Sequence, residues 1–173
     1  MVLAMEAAPG AWKWAIRKRV WDIMEKNDYA DFPRPVHHRI PNFVGAAEAA
    51  ERLAGLPAFQ SARCIKVNPD TPQRAVRYAA LASGKTLLTP QPRLRTGFFN
   101  TLSRLNLPPN DEAALREAST SAGAAKYGKP LGIDATGLTV DLIIVGSTAV
   151  CPQTGARIGK GALRAVLRDW ILA

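Results

Sequence analysis

The chain has 173 residues, of which 47% are hydrophobic and 21% are charged, and its formal net charge is +9. This composition is typical of a globular domain and excludes a disordered or fibrous chain. No apolar run approaches the 18 residues of a transmembrane helix, and the N-terminus lacks the pattern of a secretory signal. Its two cysteines have no C-x-x-C spacing, which argues against a zinc module or a disulfide framework. We therefore expect a cytoplasmic or nuclear protein without a metal site or a membrane partner.

The positive charge is concentrated in the first two thirds of the chain. Residues 1–110 contain 16 basic and 8 acidic side chains, whereas residues 111–173 contain 7 and 6. Fifteen of the 23 basic residues are arginine, whose planar guanidinium binds phosphate or carboxylate through two hydrogen bonds. This bias favours an anionic partner such as a nucleotide or a nucleic acid, with an ordinary solvated surface as the alternative.

Residues 1–10 are predicted to form a disordered leader, and residues 11–27 a helix. Lys13 and Arg17 are four residues apart on this helix, so two cations repel each other on one face. An anion held between them would remove this repulsion, and the alternative is that both side chains simply point into water. Lys18 and Asp22 have the same spacing with opposite charge. An apolar stripe at helical spacing is expected to face the core, and its members are Trp12, Ile16, Val20, Ile23 and Met24.

Residues 31–43 contain three prolines, which exclude a regular helix. Their apolar and aromatic content predicts an ordered, extended segment laid over the domain. His37 and His38 lie in this segment, but no cysteine or carboxylate motif completes a metal site there.

The rest of the chain alternates between helical and strand patterns, which is typical of an α/β fold. Helices are predicted at residues 46–56, 69–84 (after a turn) and 111–122. Strands are predicted at residues 63–68, 85–89 and 140–150. The last of these is a continuous apolar run, so we expect a strand covered on both faces, with Asp141 near its start.

Two loops follow strand ends, where open α/β sheets place their ligands. In residues 90–100, Arg93 and Arg95 alternate and Thr96 adds a hydroxyl group, so the loop is a candidate anion site. The second loop is 155–161. Its Arg157 and Lys160 supply charge, while Gly159 and Gly161 allow backbone amides to approach a phosphate. The glycine pattern differs from a P-loop and is ambiguous by itself.

Five stretches together resemble one family. They are the helix with Lys13 and Arg17, residues 31–43, residues 90–97, residues 140–150 and the sequence Arg157-Ile-Gly-Lys-Gly161. The resemblance covers roughly residues 12–161, and the family is the 5-formyltetrahydrofolate cyclo-ligase (methenyltetrahydrofolate synthetase) family. Residues 31–43 and 92–97 are most similar to a divergent branch of it.

The resemblance implies a three-layer α/β sandwich with a mainly parallel sheet, as in ribose-phosphate isomerases and CoA transferases. Family enzymes use ATP and magnesium to phosphorylate the formyl oxygen of 5-formyltetrahydrofolate, and ring closure gives 5,10-methenyltetrahydrofolate. Lys13 and Arg17 match the basic pair that binds ATP phosphates in these enzymes. Arg157, Gly159 and Gly161 match the start of their glycine-rich phosphate loop.

Two departures from the family pattern weaken the expectation of catalysis. Thr71-Pro72-Gln73 stands where the family has a glutamate that helps to hold folate. After Gly161 the expected glycine, aromatic and aspartate positions are replaced by the sequence of residues 162–173. The family domain continues beyond this point, and longer members of the branch add an RNA-recognition motif. We therefore expect a C-terminally truncated domain within residues 11–173.

Three functional hypotheses follow. The first is a non-catalytic cyclo-ligase-like domain with a basic nucleotide, phosphate or RNA-associated anion site. The second is an ATP-dependent 5-formyltetrahydrofolate cyclo-ligase, which requires ATP and magnesium as cofactors and folate as substrate. The third is a truncated product with little stable structure.

Overall fold

A computed structural model of the chain describes residues 10–91, 98–132 and 135–161. Within these ranges the helices are α1 (Ala11–Lys26), α2 (Ala46–Ala54), α3 (Pro57–Ser61), α4 (Arg74–Ala82), α5 (Glu112–Ala118) and α6 (Ser121–Tyr127). The strands are β1 (Cys64–Val67), β2 (Thr86–Pro90), β3 (Phe99–Leu102), β4 (Lys129–Leu131), β5 (Leu142–Ile144), β6 (Ala149–Val150) and β7 (Arg157–Ile158).

The described residues divide into two compact units. The first unit comprises those of Met1–Val44 and Ser147–Leu167, with α1, β6 and β7. The second comprises those of Gly45–Gly146, with all the other helices and strands. No helix in the described ranges is long and apolar enough to cross a lipid bilayer.

The second unit is built on a five-stranded sheet with the order β4-β3-β2-β1-β5. Strands β2, β1 and β5 are parallel, and Ile65 of β1 pairs with Leu87 on one side and Leu142 on the other. On the other side of β2, β3 is antiparallel to β2, and β4 is antiparallel to β3. The α/β class is thus confirmed, with a mixed sheet whose β2-β1-β5 part is parallel.

One face of this sheet carries the main hydrophobic core. Ile65, Val67, Leu87 and Leu102 point to this face because side chains alternate along a strand. Helices α2 to α5 supply the other side of the core through Ala50, Phe59, Val76, Ala80, Leu81, Leu115 and Ala118. Phe59 is 1% exposed and Leu115 is equally buried, so these helices are held to the sheet mainly by apolar burial.

The opposite face of the sheet contains a smaller cluster of Cys64, Leu88 and Phe99. Burial raises the pKa of the Cys64 thiol, and the Asp141 charge adds to this shift. Asp141 accepts hydrogen bonds of 2.8 Å from the backbone amides of Arg63 and Cys64. These bonds hold the pKa of the Asp141 carboxyl below its usual range. Asp141 therefore fixes the start of β1 and has a structural role.

In the first unit, α1 is covered by the connecting segment, residues 27–44. Trp21 donates from Nε1 to the carbonyl of Arg39 at 3.2 Å, and it packs with Ala30 and Val36. Glu25 accepts from the Val36 amide at 2.7 Å and pairs with Arg34 at 2.9 Å. The first of these contacts is the main reason that the pKa of Glu25 is lowered. Residues 31–43, predicted as an ordered, extended segment, contain bends and turns in place of a continuous extended chain, and His38 has a φ of 62°.

The buried face of α1 differs from the predicted apolar stripe. Trp12, Ile16 and Ile23 are 60%, 37% and 43% exposed, whereas Arg17 and Trp21 are buried. The stripe prediction was wrong for Trp12, Ile16 and Ile23, because polar contacts orient this helix, whereas Met24 of the stripe packs against the Trp21 cluster. The indole N–H of Trp21 and the guanidinium of Arg17 both reach backbone carbonyl groups, and burying them unpaired would be costly.

Two further sequence predictions need correction. The strand predicted at 140–150 is two short strands, β5 and β6, which belong to different sheets. Gly146 lies between them, and glycine weakens the interior of a strand. The helix predicted at 111–122 is also two helices, because the Thr120 hydroxyl accepts from the Gly123 amide at 2.9 Å and begins α6. Strands β3 and β4 were not predicted.

Candidate functional site

The first unit contains a hairpin that faces α1. Strands β6 and β7 pair Ala149 with Ile158 and Val150 with Arg157. The turn is closed by a 2.8 Å bond from the Cys151 amide to the Ala156 carbonyl. Gly155 in this turn has a φ of 71°, which suits glycine because it has no Cβ. The hairpin thus presents β7 and the residues after it toward α1.

A cavity of about 510 Å³ lies between α1 and this hairpin. Its size is within the range of small-molecule and cofactor sites. The residues that line it are Trp12, Lys13, Ile16, Arg17, Ala149, Val150, Cys151, Ala156, Arg157, Ile158 and Gly159. The fold therefore brings four of the residues predicted for phosphate binding into the lining of one cavity. They are Lys13, Arg17, Arg157 and Gly159.

Arg17 is the best-fixed cation of the cavity. It is 8% exposed, its Nε donates to the Gly159 carbonyl at 2.6 Å, and its Cζ lies 4.6 Å from the centre of the Trp14 ring. Among the described residues it takes part in no ion pair. A buried guanidinium needs an anion or several acceptors to offset its desolvation. Arg17 is thus pre-oriented, and the part of the chain that the structure describes gives it no carboxylate partner.

Lys13 and Arg157 are exposed cations at the same cavity. The Lys13 ammonium lies 5.4 Å from the centre of the Trp12 ring, and within the described ranges Lys13 also has no ion pair. The Arg157 Nε donates to the Ser147 hydroxyl at 3.1 Å, which orients its guanidinium from the hairpin. Lys160 is half-buried in the loop after β7 and is not part of the cavity wall.

Gly161 lets the loop after β7 approach α1 closely. Its φ is 91°, and a Cβ placed there would lie 3.0 Å from Trp14 Cζ2 and 3.3 Å from Arg17 Cζ. A side chain at this position would therefore meet both a left-handed backbone and two neighbouring side chains. The Gly159 carbonyl accepts a hydrogen bond from Arg17. The two glycines thus help to position the arginine, and the approach of their amides to a phosphate stays a prediction.

The remaining wall of the cavity is apolar, apart from one thiol. Trp12, Ile16, Val150 and Ile158 line it, and sequence analysis had assigned Trp12 and Ile16 to the core. Cys151 was not considered as a site residue. Hydrogen bonds from the Thr154 hydroxyl and from the amides of Thr154 and Gln153 lower the pKa of its thiol. The signal that could have placed Trp12 at the site is its position beside Lys13.

The first predicted anion loop cannot be compared with the structure. Arg93, Arg95 and Thr96 all lie outside the described residues, as do residues 1–9 of the predicted leader and residues 162–173 of the C-terminal segment. Their predicted roles remain expectations from the sequence.

The position of the missing family glutamate lies in the second unit. Thr71–Gln73 form a short 3₁₀ helix after β1, and Gln73 is buried with its Nε2 donating to the Ile144 carbonyl at 3.2 Å. The adjacent Arg77 is 2% exposed and donates to the carbonyls of Asn68, Asp70 and Ser119. Burial lowers the pKa of Arg77 to about 10. The Gln73 amide and the Arg77 guanidinium thus link this region to backbone carbonyls elsewhere in the unit. None of these contacts involves a carboxylate side chain.

The cavity of the first unit is suited to anion binding. Three cations surround it, and an apolar wall with an exposed indole faces the same space. Its described lining contains no carboxylate or histidine that could transfer a proton. Across the described ranges, no group of three or more His, Cys, Asp or Glu side chains could hold a metal ion. The arrangement therefore combines positive charge with an apolar surface in one cavity.

Comparison with known proteins gives a consistent result. The model of the 5-formyltetrahydrofolate cyclo-ligase family matches residues 9–162. The curated relatives include proteins named methenyltetrahydrofolate synthase domain-containing protein. The one from Mus musculus is 55% identical over 91% of this chain and 41% of its own length. Those from Bos taurus and Homo sapiens are 53% and 48% identical over 91% and 89% of this chain.

The chain spans about two fifths of the length of these relatives, 40% for Bos taurus and 39% for Homo sapiens. No solved structure gives a significant match. The family match extends over the helix with Lys13 and Arg17, the second-unit sheet and the hairpin with Arg157 and Gly159. The resemblance first seen in the motifs is therefore confirmed, and the chain belongs to the 5-formyltetrahydrofolate cyclo-ligase family.

Proposed function

We propose that this chain is a non-catalytic cyclo-ligase-like domain that binds the phosphate groups of a nucleotide in the cavity of the first unit. The observation that supports this most strongly is the state of Arg17. Its guanidinium is buried, held by the Gly159 carbonyl, and without an ion pair among the described residues. Lys13 and Arg157 add two further cations at the same cavity. A phosphate there would offset the cost of burying Arg17.

The non-catalytic part of the proposal is supported by the second unit. Where the family sequence has a folate-holding glutamate, Thr71–Gln73 stand, and Gln73 donates its amide to the Ile144 carbonyl. A neutral amide engaged in the scaffold cannot act as a carboxylate toward a substrate. The sequence after Gly161 also departs from the glycine-rich loop of the family.

ATP and magnesium are the cofactors that the family reaction implies. Lys13, Arg17 and Arg157 have the charge and position to hold ATP phosphates, so the residues fit the nucleotide. Magnesium prefers oxygen ligands such as carboxylates. The described cavity lining offers none from a side chain, so we assign no residue of this chain to magnesium.

A second candidate is an active ATP-dependent cyclo-ligase that forms 5,10-methenyltetrahydrofolate. The observation in its favour is that the residues matching the ATP-phosphate positions of the family, Lys13, Arg17 and Arg157, line one cavity. In this case the first unit would bind ATP, and residues outside the described ranges would have to supply the remaining groups of the phosphate loop.

RNA is the further anionic partner that the basic composition allows. Phosphodiester contacts from Lys13, Arg17 and Arg157 would release counterions, so affinity for RNA would fall steeply with added salt. Binding that is unchanged between low and high salt would contradict a role for these cations.

The proposal is tested by titrating the purified chain with ATP in a calorimeter at low salt. We expect binding that weakens by about three- to tenfold in Lys13→Ala, because an exposed charge contributes on the order of 1 kcal/mol to a charge-assisted contact. Lys26→Ala is the matched control, since Lys26 lies on the same helix outside the cavity lining. The control should retain the affinity of the unchanged protein.

A parallel assay decides between the two candidates. The absorbance of methenyltetrahydrofolate is followed after adding magnesium, ATP and 5-formyltetrahydrofolate to the same protein. Nucleotide binding without product formation would support the non-catalytic domain. Product formation that is lost in Lys13→Ala would establish the enzyme instead. A protein that unfolds cooperatively but binds no ATP or other polyphosphate would overturn the proposed anion site.

A further inference from the structure

The indole of Trp12 is an exposed aromatic side chain on the wall of a cationic cavity. It is 60% exposed although it lies on α1, which packs its opposite side through Trp21. An exposed indole that continues into the apolar wall of a cavity is typical of a ligand-binding groove. The Lys13 ammonium lies over this ring, 5.4 Å from its centre, in a cation–π contact that a stacked base would share or replace.

The walls next to Trp12 suit a flat and largely apolar group. Ile16, Val150 and Ile158 line the same cavity. The Arg17 Nε is occupied by the Gly159 carbonyl. An aromatic face and a methyl-rich wall are therefore available for the surface of a ring.

We propose that Trp12 is a stacking platform for the base of the bound nucleotide, and that the cavity selects purine nucleotides over bare polyphosphates and pyrimidine nucleotides. This inference rests on the proposed function. A base on the Trp12 ring would direct the attached phosphates toward Lys13, Arg17 and Arg157. Because recognition uses the ring face, adenine and guanine nucleotides should bind with similar affinity. A pyrimidine has a smaller stacking surface and should bind less tightly.

The experiment measures calorimetric affinities of ATP, GTP, CTP and inorganic tripolyphosphate for the full chain and for Trp12→Leu. We expect ATP and GTP to lose about tenfold in affinity in Trp12→Leu, because the variant removes base–aromatic stacking. Tripolyphosphate has no base and should keep its affinity. Trp12→Phe retains an aromatic ring and should restore most of the ATP affinity.

Tyr29→Leu is the matched control, because Tyr29 is 58% exposed in the same unit and does not line the cavity. It should leave all four affinities unchanged. Thermal unfolding of each variant checks that the fold is retained, and Trp12→Phe keeps the test decisive if Trp12→Leu is unstable.

The outcomes separate this inference from the proposed function. If tripolyphosphate and ATP weaken equally in Trp12→Leu, or if neither changes, the anion site stands and the stacking platform is overturned. If the unchanged protein binds neither ligand, the proposed function fails and the platform fails with it. Equal affinities for ATP and CTP would overturn the selection for purines.

Discussion

The two units of this chain place some of their cations differently. In the second unit, Arg77 donates to three carbonyls, and Lys126 pairs with Glu117 at 2.9 Å. In the first unit, some cations are paired in the same manner, such as Lys18 with Asp22 at 2.6 Å. Lys13 and Arg17 have no ion pair among the described residues, and both line the cavity.

Apolar packing also differs between the two units, and the second unit has the larger hydrophobic core. Among the described residues, the second unit has a core of thirteen buried residues on one sheet face, whereas the cluster around Trp21 contains three. Polar contacts to α1 hold much of the first unit together. Within these residues, apolar burial is thus concentrated in the sheet unit, and two cations without a carboxylate partner, Lys13 and Arg17, lie at the cavity.

The largest effect should come from removing a large side chain from the core of the second unit. Phe59→Ala deletes an almost fully buried ring that packs on α2, α4 and the sheet core. We expect the free energy of unfolding to fall by about 3–5 kcal/mol, because burial is lost and a cavity remains. Urea denaturation followed by circular dichroism measures this change.

Leu56→Ala is the control for that substitution, since Leu56 immediately precedes α3 and is 50% exposed. Its cost should be below about 1 kcal/mol. Similar losses in the two variants would contradict a core centred on Phe59.

A smaller effect is expected from crowding the loop beside Arg17. Gly161→Ala places a Cβ near Trp14 and Arg17 at a residue with a φ of 91°, so we expect a loss of about 1–2 kcal/mol in stability. Displacement of Arg17 should also weaken polyphosphate binding several-fold. Urea denaturation and calorimetry give the two readouts.

Gly155→Ala is the control that separates the cost of a positive φ from the steric effect of a Cβ beside Arg17. Gly155 also has a positive φ, 71°, but its Cβ would meet nothing within 4 Å. It should lose similar stability and keep its polyphosphate affinity. Weakened binding in both variants would show that Gly161 has no special relation to Arg17.

The smallest and most condition-dependent effect concerns Asp141. Hydrogen bonds from the Cys64 and Arg63 amides lower the pKa of its carboxyl, so the folded state favours the carboxylate. The carboxylate therefore stabilises the folded state at neutral pH. This contribution is lost as the pH falls below about 4, the usual pKa of an aspartate, and through the lowered pKa of Asp141. Asp141→Asn should lower the urea midpoint at pH 7 more than at pH 3. An equal shift of the urea midpoint at both pH values would contradict a stabilising role of the charged Asp141 carboxylate.

Local pattern was sufficient to predict much of the second unit. The apolar runs at β1 and β2 and the helix signals at α2 and α4 lie where the structure has them. Strands β3 and β4 escaped prediction because Phe99–Leu102 alternates poorly and Lys129–Leu131 contains Pro130. Their pairing depends on contacts distant in sequence, which periodicity does not report.

The candidate site was predictable only in part. The spacing of Lys13 and Arg17 and the glycines near Arg157 indicated an anion site from composition and resemblance alone. Nothing in the spacing indicated that Arg17 would be buried while Trp12 would be exposed, because amphipathic patterns assign indole to the core and guanidinium to water. Arg17 is buried where it donates to the carbonyl of Gly159, which is 142 residues away in sequence.

The edge strand β4 has a consequence for how this protein behaves at high concentration. Pro130 lies in the middle of its three residues and has no N–H to offer, and Lys129 beside it is exposed. A foreign strand approaching this edge would meet one missing donor and a charged neighbour, which disfavours growth of the sheet from molecule to molecule. The sheet unit is thereby guarded against fibril-like association along its β4 side.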